Sequence, residues 1–369
     1  MSALRDERGQ QPILIMAGGT GGHVYPALAV AHALRRESRE VVWLGTRRGI
    51  EARVVPAAGI EIEWLNVEGL RGKGALALVA APFRLARAMT QALRIVSKRR
   101  PAAVLGMGGF ASGPGGVAAW LTRRPLVIHE QNAAAGLTNR LLARLARVVL
   151  QAFPGSFNAR IAAVTVGNPV REDIAAVSPP AERYAERSGA LRLLVLGGSQ
   201  GALALNRTVP AALALLDADE RPVVRHQCGE RTLAMAEEAY AGSGVDVQLT
   251  PFIDDMAEAY AWADLVVCRA GALTIAELCA VGLPALLVPY PHAVDDHQTA
   301  NAQPMVTAGA AEILSEDELT EQSLADRLRA WLADRSGLRS RAEKARELAV
   351  PDSLDRIAAT CLELAGAPA

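Results

Sequence analysis

One device occurs twice in this sequence, and it constrains the fold more than any other feature. An apolar run, a glycine-rich turn and a helical pattern follow one another in "PILIMAGGTGGHVYPALAV" and again in "LRLLVLGGSQGALALN". Other short apolar runs alternate with helical patterns, among them "VVWLG", "IEIEWL", "AAVLGMGG", "PLVIHE", "PVVRHQCG", "VDVQLTPF", "ADLVVCRAG" and "PALLVPYP". Such alternation predicts parallel sheets with right-handed crossovers. We therefore predict an α/β protein with two doubly wound, Rossmann-like domains.

The pattern restarts after about residue 170, which places the domain join near "VTVGNPVRED". We expect a first domain over 1–169 and a second over 170–350, followed by a C-terminal helix within 351–369. Ligands of doubly wound sheets bind beyond the carboxyl ends of the strands. Two such domains that face each other would share a ligand-binding cleft.

The glycine turns "GGTGGH" and "GGSQGA" are candidate diphosphate sites, because bare backbone N–H groups and a helix N-terminus attract anions. A third glycine-rich stretch, "GMGGFASGPGG", spans 106–116. The alternative is a tight strand–helix connection without a ligand, and the repetition weakens it. The dinucleotide fingerprint is not met, since a third glycine counted from Gly19 would fall at Val24 and "WLGTRRG" ends the second strand without an acid. The sequence contains no G-K-[ST] motif, which argues against a P-loop ATPase.

The second half offers a nucleotide site in "CRAGALTIAEL". Gly271 ends a strand turn, the following residues open a helix, and Thr274 adds a hydroxyl. Glu277 lies one to two turns into that helix, where a carboxylate can accept from both hydroxyls of a ribose. The alternative is an ordinary solvated glutamate on a helix.

The formal net charge of zero conceals two halves of opposite sign. Residues 1–170 hold 22 Arg and Lys against 9 Asp and Glu, whereas residues 171–369 hold 17 against 30. This asymmetry predicts an anionic partner for the first half, either a nucleic acid or a membrane surface. No apolar stretch approaches the ~18 residues that span a bilayer, so membrane contact would be peripheral.

The basic stretch 71–100 contains eight basic residues and no acid. We expect Pro82 to start a helix, followed at helical spacing by an apolar face of Leu85, Met89, Ala92, Leu93 and Val96. The opposite face would carry Arg84, Arg87, Arg94 and Lys98, with Phe83 at its edge. A basic face beside an apolar tip suits an anionic bilayer surface, and the alternative is a solvated helix face.

The four cysteines form no CxxC pair, which predicts reduced thiols in a cytosolic protein. The polar N-terminal segment "MSALRDERGQQP" does not resemble a signal peptide.

Seven motifs along residues 12–310 resemble the GT-B glycosyltransferases of family 28, and among them the bacterial enzymes that transfer N-acetylglucosamine to lipid I. They are "GGTGGHVYPALAVA", "GMGGFASGPGG", "HEQNAAAGLTNRLLAR", "GNPVR", "GGSQGALALN", "FIDDMAEAYAWADLVVCRAGALTIAEL" and "HQTANA". The resemblance implies a first domain for the lipid-linked acceptor and the membrane, and a second domain for the UDP-sugar. It also implies a C-terminal helix that returns to the first domain.

The same resemblance assigns residue roles. The donor-binding residues would be Thr20, Gly21, Gly22, Asn132, Arg171, Ser199, Ile253, Ala272, Leu273, Thr274, Ile275, Ala276, Glu277, Gln298 and Asn301. Among these, Arg171 and Ile253 would frame the uracil, Ser199 would meet a phosphate, and Asn132, Gln298 and Asn301 would hold sugar hydroxyls. Gly108, Gly109 and Asn139 would lie on the acceptor side. Phe110 and His297 depart from the family pattern, where Tyr and Gln respectively are common.

The acceptor hydroxyl has a high pKa, so its attack on the sugar gains from a general base. His23 follows the first glycine turn at a helix N-terminus, where the dipole favours a neutral ring. Glu130 or a water is the alternative base. The loop "PHAVDDHQ" does not fit a usual zinc pattern. Helix dipoles and glycine amides can replace Mg²⁺ on a leaving diphosphate, so we expect neither a metal nor a cofactor.

The resemblance implies an inverting transferase that moves N-acetylglucosamine from UDP to the muramyl 4-hydroxyl of undecaprenyl-diphospho-muramyl-pentapeptide (lipid I), giving lipid II for peptidoglycan synthesis. The expected partners are the two substrates, anionic phospholipid at the cytoplasmic face of the inner membrane, and cell-wall or division proteins. The alternatives are a UDP-sugar epimerase, another UDP-sugar-dependent GT-B transferase, or an RNA-binding protein. The last is disfavoured because no aromatic stacking platform accompanies the arginines, so we expect no nucleic acid partner.

Overall fold

The computed structural model describes residues 11–67, 75–185, 187–198, 201–293 and 296–366, without the side chains of 75–81. The chain divides into two compact units, which are described separately. Unit 1 comprises Met1–Pro169 with Asp352–Ala369, and unit 2 comprises Val170–Pro351.

Unit 1 is built on a parallel sheet of seven strands in the order β3-β2-β1-β4-β5-β6-β7. Its elements are β1 (Ile13–Met16), α1 (Gly21–Arg36), β2 (Val41–Gly45), α2 (Glu51–Ala57), β3 (Glu61–Trp64), α3 (Ala75–Arg99), β4 (Ala103–Gly106), α4 (Ser112–Leu121), β5 (Leu126–Glu130), α5 (Leu137–Leu142), β6 (Val148–Gln151) and β7 (Val164–Thr165). In β1, Ile13 pairs with Val41 of β2 and Ala103 of β4.

Helices cover both faces of this sheet, which is why its central strands are buried apolar runs. Ile13 and Ile15 of β1 pack with α1 on one face. Leu14 and Met16 face the other side, where α3, α4 and α5 contribute to the core. Successive side chains of a strand point to opposite faces, so one four-residue strand contributes to both cores.

Unit 2 repeats the architecture with six parallel strands in the order β10-β9-β8-β11-β12-β13. Its elements are α6 (Glu172–Ala175), α7 (Pro180–Ala185), β8 (Arg192–Leu196), α8 (Leu203–Ala214), β9 (Val223–Gln227), a 3₁₀ turn (Glu230–Thr232), α9 (Leu233–Tyr240), β10 (Val247–Thr250), α10 (Met256–Trp262), β11 (Leu265–Cys268), α11 (Ala272–Val281), β12 (Ala285–Leu287), α12 (His297–Thr307), β13 (Ala311–Ile313), α13 (Glu321–Leu332) and α14 (Arg335–Glu347).

The C-terminal helix α15 (Ser353–Leu364) belongs to unit 1 and packs on α1. Ile357 and Cys361 are fully buried in the same cluster as Val30 and Leu34. The Ser353 hydroxyl donates to the Asn168 carbonyl at 2.7 Å. The return of this helix to the first unit, implied by the family resemblance, is confirmed.

Each quoted apolar run contains a strand of the structure, and the predicted doubly wound fold class is confirmed. The first glycine turn runs directly into α1, whose first residues are Gly21 and Gly22, so the helix begins before its apolar pattern does. Three strands, β6, β7 and β13, are two to four residues long and were not predicted. In "LLARLARVVLQ" no glycine or proline separates β6 from the helical pattern before it, and β7 and β13 add only two and three residues.

The expectation for the basic stretch was wrong in two respects. Pro82 lies inside the continuous helix α3 rather than at a helix start. A proline removes one backbone hydrogen bond, and here that loss does not end the helix. Leu85, expected in the core, is 55% exposed, whereas Ala92 and Val96 are fully buried as expected, and Ala88 is fully buried with them. The buried stripe therefore begins about one helical turn later than expected.

The four cysteines are free and buried. Cys268, Cys279 and Cys361 lie within helices and strands, and burial raises the pKa of each thiol to about 12.

We expect Ile357→Ala to lower the free energy of unfolding by about 2–5 kcal/mol, because a fully buried side chain between α15 and α1 would be replaced by a cavity. Val350→Ala, at a 40% exposed position just before α15, serves as the control. Denaturant titration measures both. A loss below 1 kcal/mol in Ile357→Ala would contradict the docking of α15.

Candidate active site

Two bare backbone turns meet at the carboxyl ends of β1 and β4, which are neighbours in the sheet. Gly109 has φ +85°, and a Cβ on it would lie 2.4 Å from the Gly18 carbonyl oxygen. The Ser112 hydroxyl, fully buried, donates to the Gly108 carbonyl at 2.7 Å and lies 3.1 Å from the Met16 carbonyl. The glycines here allow backbone to approach backbone, which a side chain would prevent.

A buried carboxylate organises the first turn. Glu51, the first residue of α2, is fully buried and accepts from the Gly19 N–H at 2.9 Å and from the Thr46 N–H and hydroxyl at 3.0 and 2.7 Å. A Cβ on Gly18 would lie 2.6 Å from Glu51 Oε1. Sequence reasoning missed Glu51, because "RRGIEARV" looks like an ordinary helix start.

The first turn of α1 carries the features of an anion site. Thr20 is the N-cap, with φ −111° and ψ 160°, and its side chain makes no capping hydrogen bond. Thr20 and Gly22 are exposed, and Gly21 is partly exposed. The first N–H groups of a helix have no partner within the helix, so they are available to a phosphate.

His23 follows this turn and is partly exposed. Its Nδ1 lies 3.1 Å from Gln131 Oε1, and Gln131 Nε2 lies 3.2 Å from His129 Nδ1. His129 Nε2 in turn lies 2.9 Å from the Gly167 carbonyl oxygen. Gly108, with φ +94°, lies against the ring of His23, because a Cβ there would come within 2.8 Å of Nδ1. The structure therefore brings His23 together with Gly108, which the sequence predicted for the acceptor side.

Glu130 is buried, and both of its oxygens accept hydrogen bonds. Oε1 accepts from the N–H and side-chain amide of Asn132 at 3.0 and 3.2 Å. Oε2 accepts from the Gly136 N–H at 3.1 Å and from Asn139 Nδ2 at 2.9 Å. Four donors on one carboxylate give Glu130 the geometry of a group that organises the loop after β5. Asn139, 3% exposed, supports this carboxylate from α5.

The nucleotide candidate in unit 2 matches the expected geometry. Gly271 is the N-cap of α11, with an extended backbone, and Ala272 to Glu277 form the first turns of that helix. Glu277 Oε2 accepts from the buried Tyr260 hydroxyl at 2.9 Å. Burial raises the pKa of Glu277 to about 7, while the Tyr260 hydrogen bond and the charge of Arg171 lower it and Asp173 raises it. Leu273, Thr274 and Ala276 are partly exposed, whereas Ile275 is buried.

The other residues predicted to bind the donor lie on α12 and in the loop after β10. Asn301 of α12 is fully buried and its amide donates to the Ala270 carbonyl at 3.2 Å, which ties α12 to the turn before α11. Gln298 Oε1 accepts from the Tyr290 N–H at 2.9 Å. Ile253 is partly exposed in the loop after β10. Ser199 lies outside the described residues.

The second glycine turn is supported by a side-chain amide instead of a carboxylate. Gly198, with φ +76°, donates its N–H to Gln227 Oε1 at 2.9 Å. Gln227 Nε2 donates to the carbonyls of Gly198 and Pro251 at 3.1 and 2.9 Å. One buried glutamine at the end of β9 thereby holds the turn and the start of the next loop.

The basic helix α3 extends beyond the carboxyl edge of the unit 1 sheet. Gln91 bonds to Trp64 and Asn66 at the carboxyl end of β3. Phe83 precedes Gln91 by about two helical turns, so along the helix axis it lies about 12 Å from Gln91, on the side away from the sheet. Phe83 is 79% exposed, and Arg84 and Arg87 are exposed beside it. We call Phe83, Arg84, Leu85 and Arg87 the α3 tip.

Within the described part of the chain, no three His, Cys, Asp or Glu side chains are grouped as a metal site would require. In the same residues, no helix combines the length and apolar character needed to cross a bilayer.

The two doubly wound parallel sheets have the architecture of the two-domain GT-B class, and the sequence places the chain among the glycosyltransferases of that class. The sequence pattern of the Glycosyltransferase family 28 N-terminal domain matches residues 13–151, and that of the family 28 C-terminal domain matches residues 192–357. The chain belongs to glycosyltransferase family 28.

The relatives agree with this assignment. A protein of Alkalilimnicola ehrlichii, named UDP-N-acetylglucosamine--N-acetylmuramyl-(pentapeptide) pyrophosphoryl-undecaprenol N-acetylglucosamine transferase, is 62% identical over 95% of this chain and 98% of its own length. The crystal structure of Acinetobacter baumannii MurG is 40% identical, with a TM-score of 0.82 over 96% of this chain and 99% of that one. A structure described as a putative UDP-N-acetylglucosamine 2-epimerase of Listeria monocytogenes shares the fold, with a TM-score of 0.67 at 15% identity.

We expect UDP-N-acetylglucosamine to bind about tenfold more tightly at pH 8 than at pH 6. With a pKa of about 7, Glu277 is mostly protonated at pH 6, and the ionised form offers acceptors to both ribose hydroxyls. The diphosphate of this ligand is already fully ionised over the range. Calorimetry at the two pH values measures the effect.

Glu277→Gln should remove most of this pH dependence, whereas Glu237→Gln, at an exposed position on α9, should keep it. Equal affinities of the unaltered protein at pH 6 and pH 8 would contradict the ribose role of Glu277.

Proposed function

We propose that this protein transfers N-acetylglucosamine from UDP-N-acetylglucosamine to the muramyl 4-hydroxyl of lipid I, with inversion, to give lipid II. The observation that carries the proposal is near-full-length identity of 62% to a protein named for this transfer. The His23 and Glu277 environments described above supply groups that this chemistry needs.

Unit 2 is the proposed donor domain. The first-turn amides of α11 and the Thr274 hydroxyl would bind the diphosphate. Glu277 would bind the ribose, oriented by the Tyr260 hydroxyl, and Arg171 and Ile253 would frame the uracil. The electrostatic link between Arg171 and Glu277 supports their assignment to one site.

Unit 1 is the proposed acceptor domain and supplies the base. The acceptor 4-oxygen attacks the anomeric carbon of the donor sugar while His23 Nε2 takes the hydroxyl proton. The bond from that carbon to the UDP oxygen breaks, and its electron pair leaves with UDP. Attack opposite to the leaving group converts an α-linkage into a β(1→4) linkage. Helix N-termini stabilise the charge on the departing diphosphate, so the proposal needs no metal.

A UDP-sugar epimerase is the alternative with the same fold. The likeness of this chain to the Listeria structure, at 15% identity, is one of fold alone. The two activities differ in a measurable way, since an epimerase acts on the donor without an acceptor.

The α3 tip is the proposed membrane contact at the cytoplasmic face of the inner membrane. An exposed phenylalanine beside exposed arginines suits the interface of an anionic bilayer. The α3 tip lies on the same edge of the unit 1 sheet as the glycine turn that precedes His23. This placement suits an acceptor whose sugar reaches the site while its polyprenyl chain stays in the membrane. Partners in the cell-wall and division machinery belong to the same proposal.

With UDP-N-acetylglucosamine and a short-chain lipid I analogue, we expect acceptor-dependent UDP release and a product heavier by one N-acetylglucosamine residue. His23→Ala should lower kcat by ~10²–10⁴-fold, the usual contribution of a general base, with UDP-N-acetylglucosamine affinity unchanged. His32→Ala, at an exposed position on the same helix, is the control and should keep full activity. An epimerised sugar without acceptor would overturn the proposed function, and a loss below tenfold would remove His23 from the role of base.

We expect the protein to sediment with vesicles that contain anionic phospholipid, less so as salt rises, because screening weakens the attraction of the arginines. Phe83→Ser with Arg84→Glu should reduce sedimentation and leave UDP-N-acetylglucosamine affinity intact. Leu215→Ser with Arg207→Glu makes the same chemical change at exposed positions of unit 2 and is the matched control. If both double variants sediment equally, the α3 tip is not the contact.

A further inference from the structure

A chain of hydrogen bonds behind His23 begins at a group whose role is unambiguous. His129 Nε2 lies 2.9 Å from the Gly167 carbonyl oxygen, and a carbonyl can only accept. Nε2 of His129 therefore carries a proton. The ring is fully buried, and this burial lowers its pKa to about 4, so the ring is neutral. A neutral imidazole has one N–H, which leaves His129 Nδ1 bare.

The bare nitrogen fixes the orientation of the next side chain. Gln131 has its side-chain amide 3.2 Å from His129 Nδ1, and only the NH₂ end of that amide can donate there. The oxygen end of the amide therefore faces His23 Nδ1 at 3.1 Å. An amide oxygen only accepts, so His23 Nδ1 carries the proton of the neutral ring. The second nitrogen of His23, Nε2, is then the one with a free lone pair.

The surroundings prevent this chain from reversing. Gln131 is 1% exposed, and its backbone carbonyl accepts a hydrogen bond from Asn168 Nδ2 at 3.0 Å. His129 lies in the middle of the sheet on β5, paired with Leu150 of β6. The His129 carbonyl also accepts from Asn139 Nδ2 at 3.3 Å. With both residues held in place, a turned amide would set its oxygen against a bare nitrogen and its NH₂ end against His23.

We propose that Gln131 and His129 are positioning residues that hold His23 in the Nδ1–H tautomer, with Nε2 as the proton acceptor for the attacking hydroxyl. The inference rests on the proposed function and deepens it. Neither residue needs to touch a substrate. The hydrogen bond made by one ring nitrogen determines which nitrogen of a histidine is available for chemistry. Here the Gly167 carbonyl fixes the tautomer of His129, which fixes the orientation of the Gln131 amide and thereby the tautomer of His23.

The direct test is the tautomer of His23 in the ligand-free protein. Long-range ¹H–¹⁵N correlation spectra of the protein labelled at its six histidines distinguish a protonated from a bare ring nitrogen, and His23→Ala identifies the His23 signals. We expect protonated Nδ1 and bare Nε2 for His23 and the opposite pattern for His129. An Nε2–H tautomer at His23 would overturn the proposal, and this measurement needs neither a variant of Gln131 nor an activity.

The functional test is Gln131→Met, which keeps the length of the side chain and removes both hydrogen-bonding ends. We expect a mixture of tautomers at His23 and a kcat lower by about ten- to hundredfold, by analogy with the loss of groups that orient a metal-bound histidine. The KM for UDP-N-acetylglucosamine should stay within twofold.

Gln151→Met is the matched control, because Gln151 lies on the adjacent strand β6 and also makes a largely buried hydrogen bond, to Thr165 at 3.0 Å. It should leave both the kcat and the His23 tautomer unchanged. A Gln131→Met enzyme with unaltered kcat, or with reduced kcat and an unaltered tautomer, would overturn the positioning role. If instead the spectra show the expected tautomer while His23→Ala keeps its activity, His23 is not the general base. The hydrogen-bonded relay of Gly167, His129, Gln131 and His23 is then still supported.

Discussion

The close approach of two backbone turns at Gly18 and Gly109 is the contact on which the unit 1 site depends. It is possible because neither residue has a Cβ, and it places the ends of β1 and β4 side by side. Bare backbone of this kind has no side chain to hold its shape. Buried carboxylate and amide side chains supply the missing order: Glu51 accepts from Gly19, and Gln131 from His23. The glycines create the space, and these side chains fix its form.

The two units use the same architecture with different supports. In unit 1, the carboxylates of Glu51 and Glu130 accept backbone N–H groups of loops. In unit 2, the neutral amide of Gln227 holds the glycine turn, and Asn301 holds the turn before α11. The supports described for the turns of unit 2 are therefore neutral, whereas those of unit 1 carry charge. Glu277 is the exception, and its raised pKa shows the cost of burying that charge.

The sequence predicted the doubly wound fold and most of the strands, because buried parallel strands are apolar runs with a clear alternation against helices. It also singled out His23, Glu130, Glu277 and the glycine turns as candidates, because each lies in or soon after a glycine turn or at the end of an apolar run. It did not reveal Glu51 or the relay from His129, because those contacts join residues that are far apart in the chain. The exposure of Leu85 was missed for a related reason: helical spacing shows which residues share a face, and the packing partner decides how much of that face is covered.

The distribution of buried thiols has a consequence for the chemistry of the intact protein. Cys361 lies on α15 against α1 in unit 1, while Cys228, Cys268 and Cys279 lie in unit 2. A thiolate is the reactive form, and burial keeps these groups as thiols. Oxidants and alkylating reagents therefore reach them only through local or global opening. Alkylation of Cys361 therefore reports separation of the C-terminal helix from the rest of unit 1. Alkylation of the other three cysteines reports the opening of unit 2, so the unfolding of the two units can be followed separately in the same molecule.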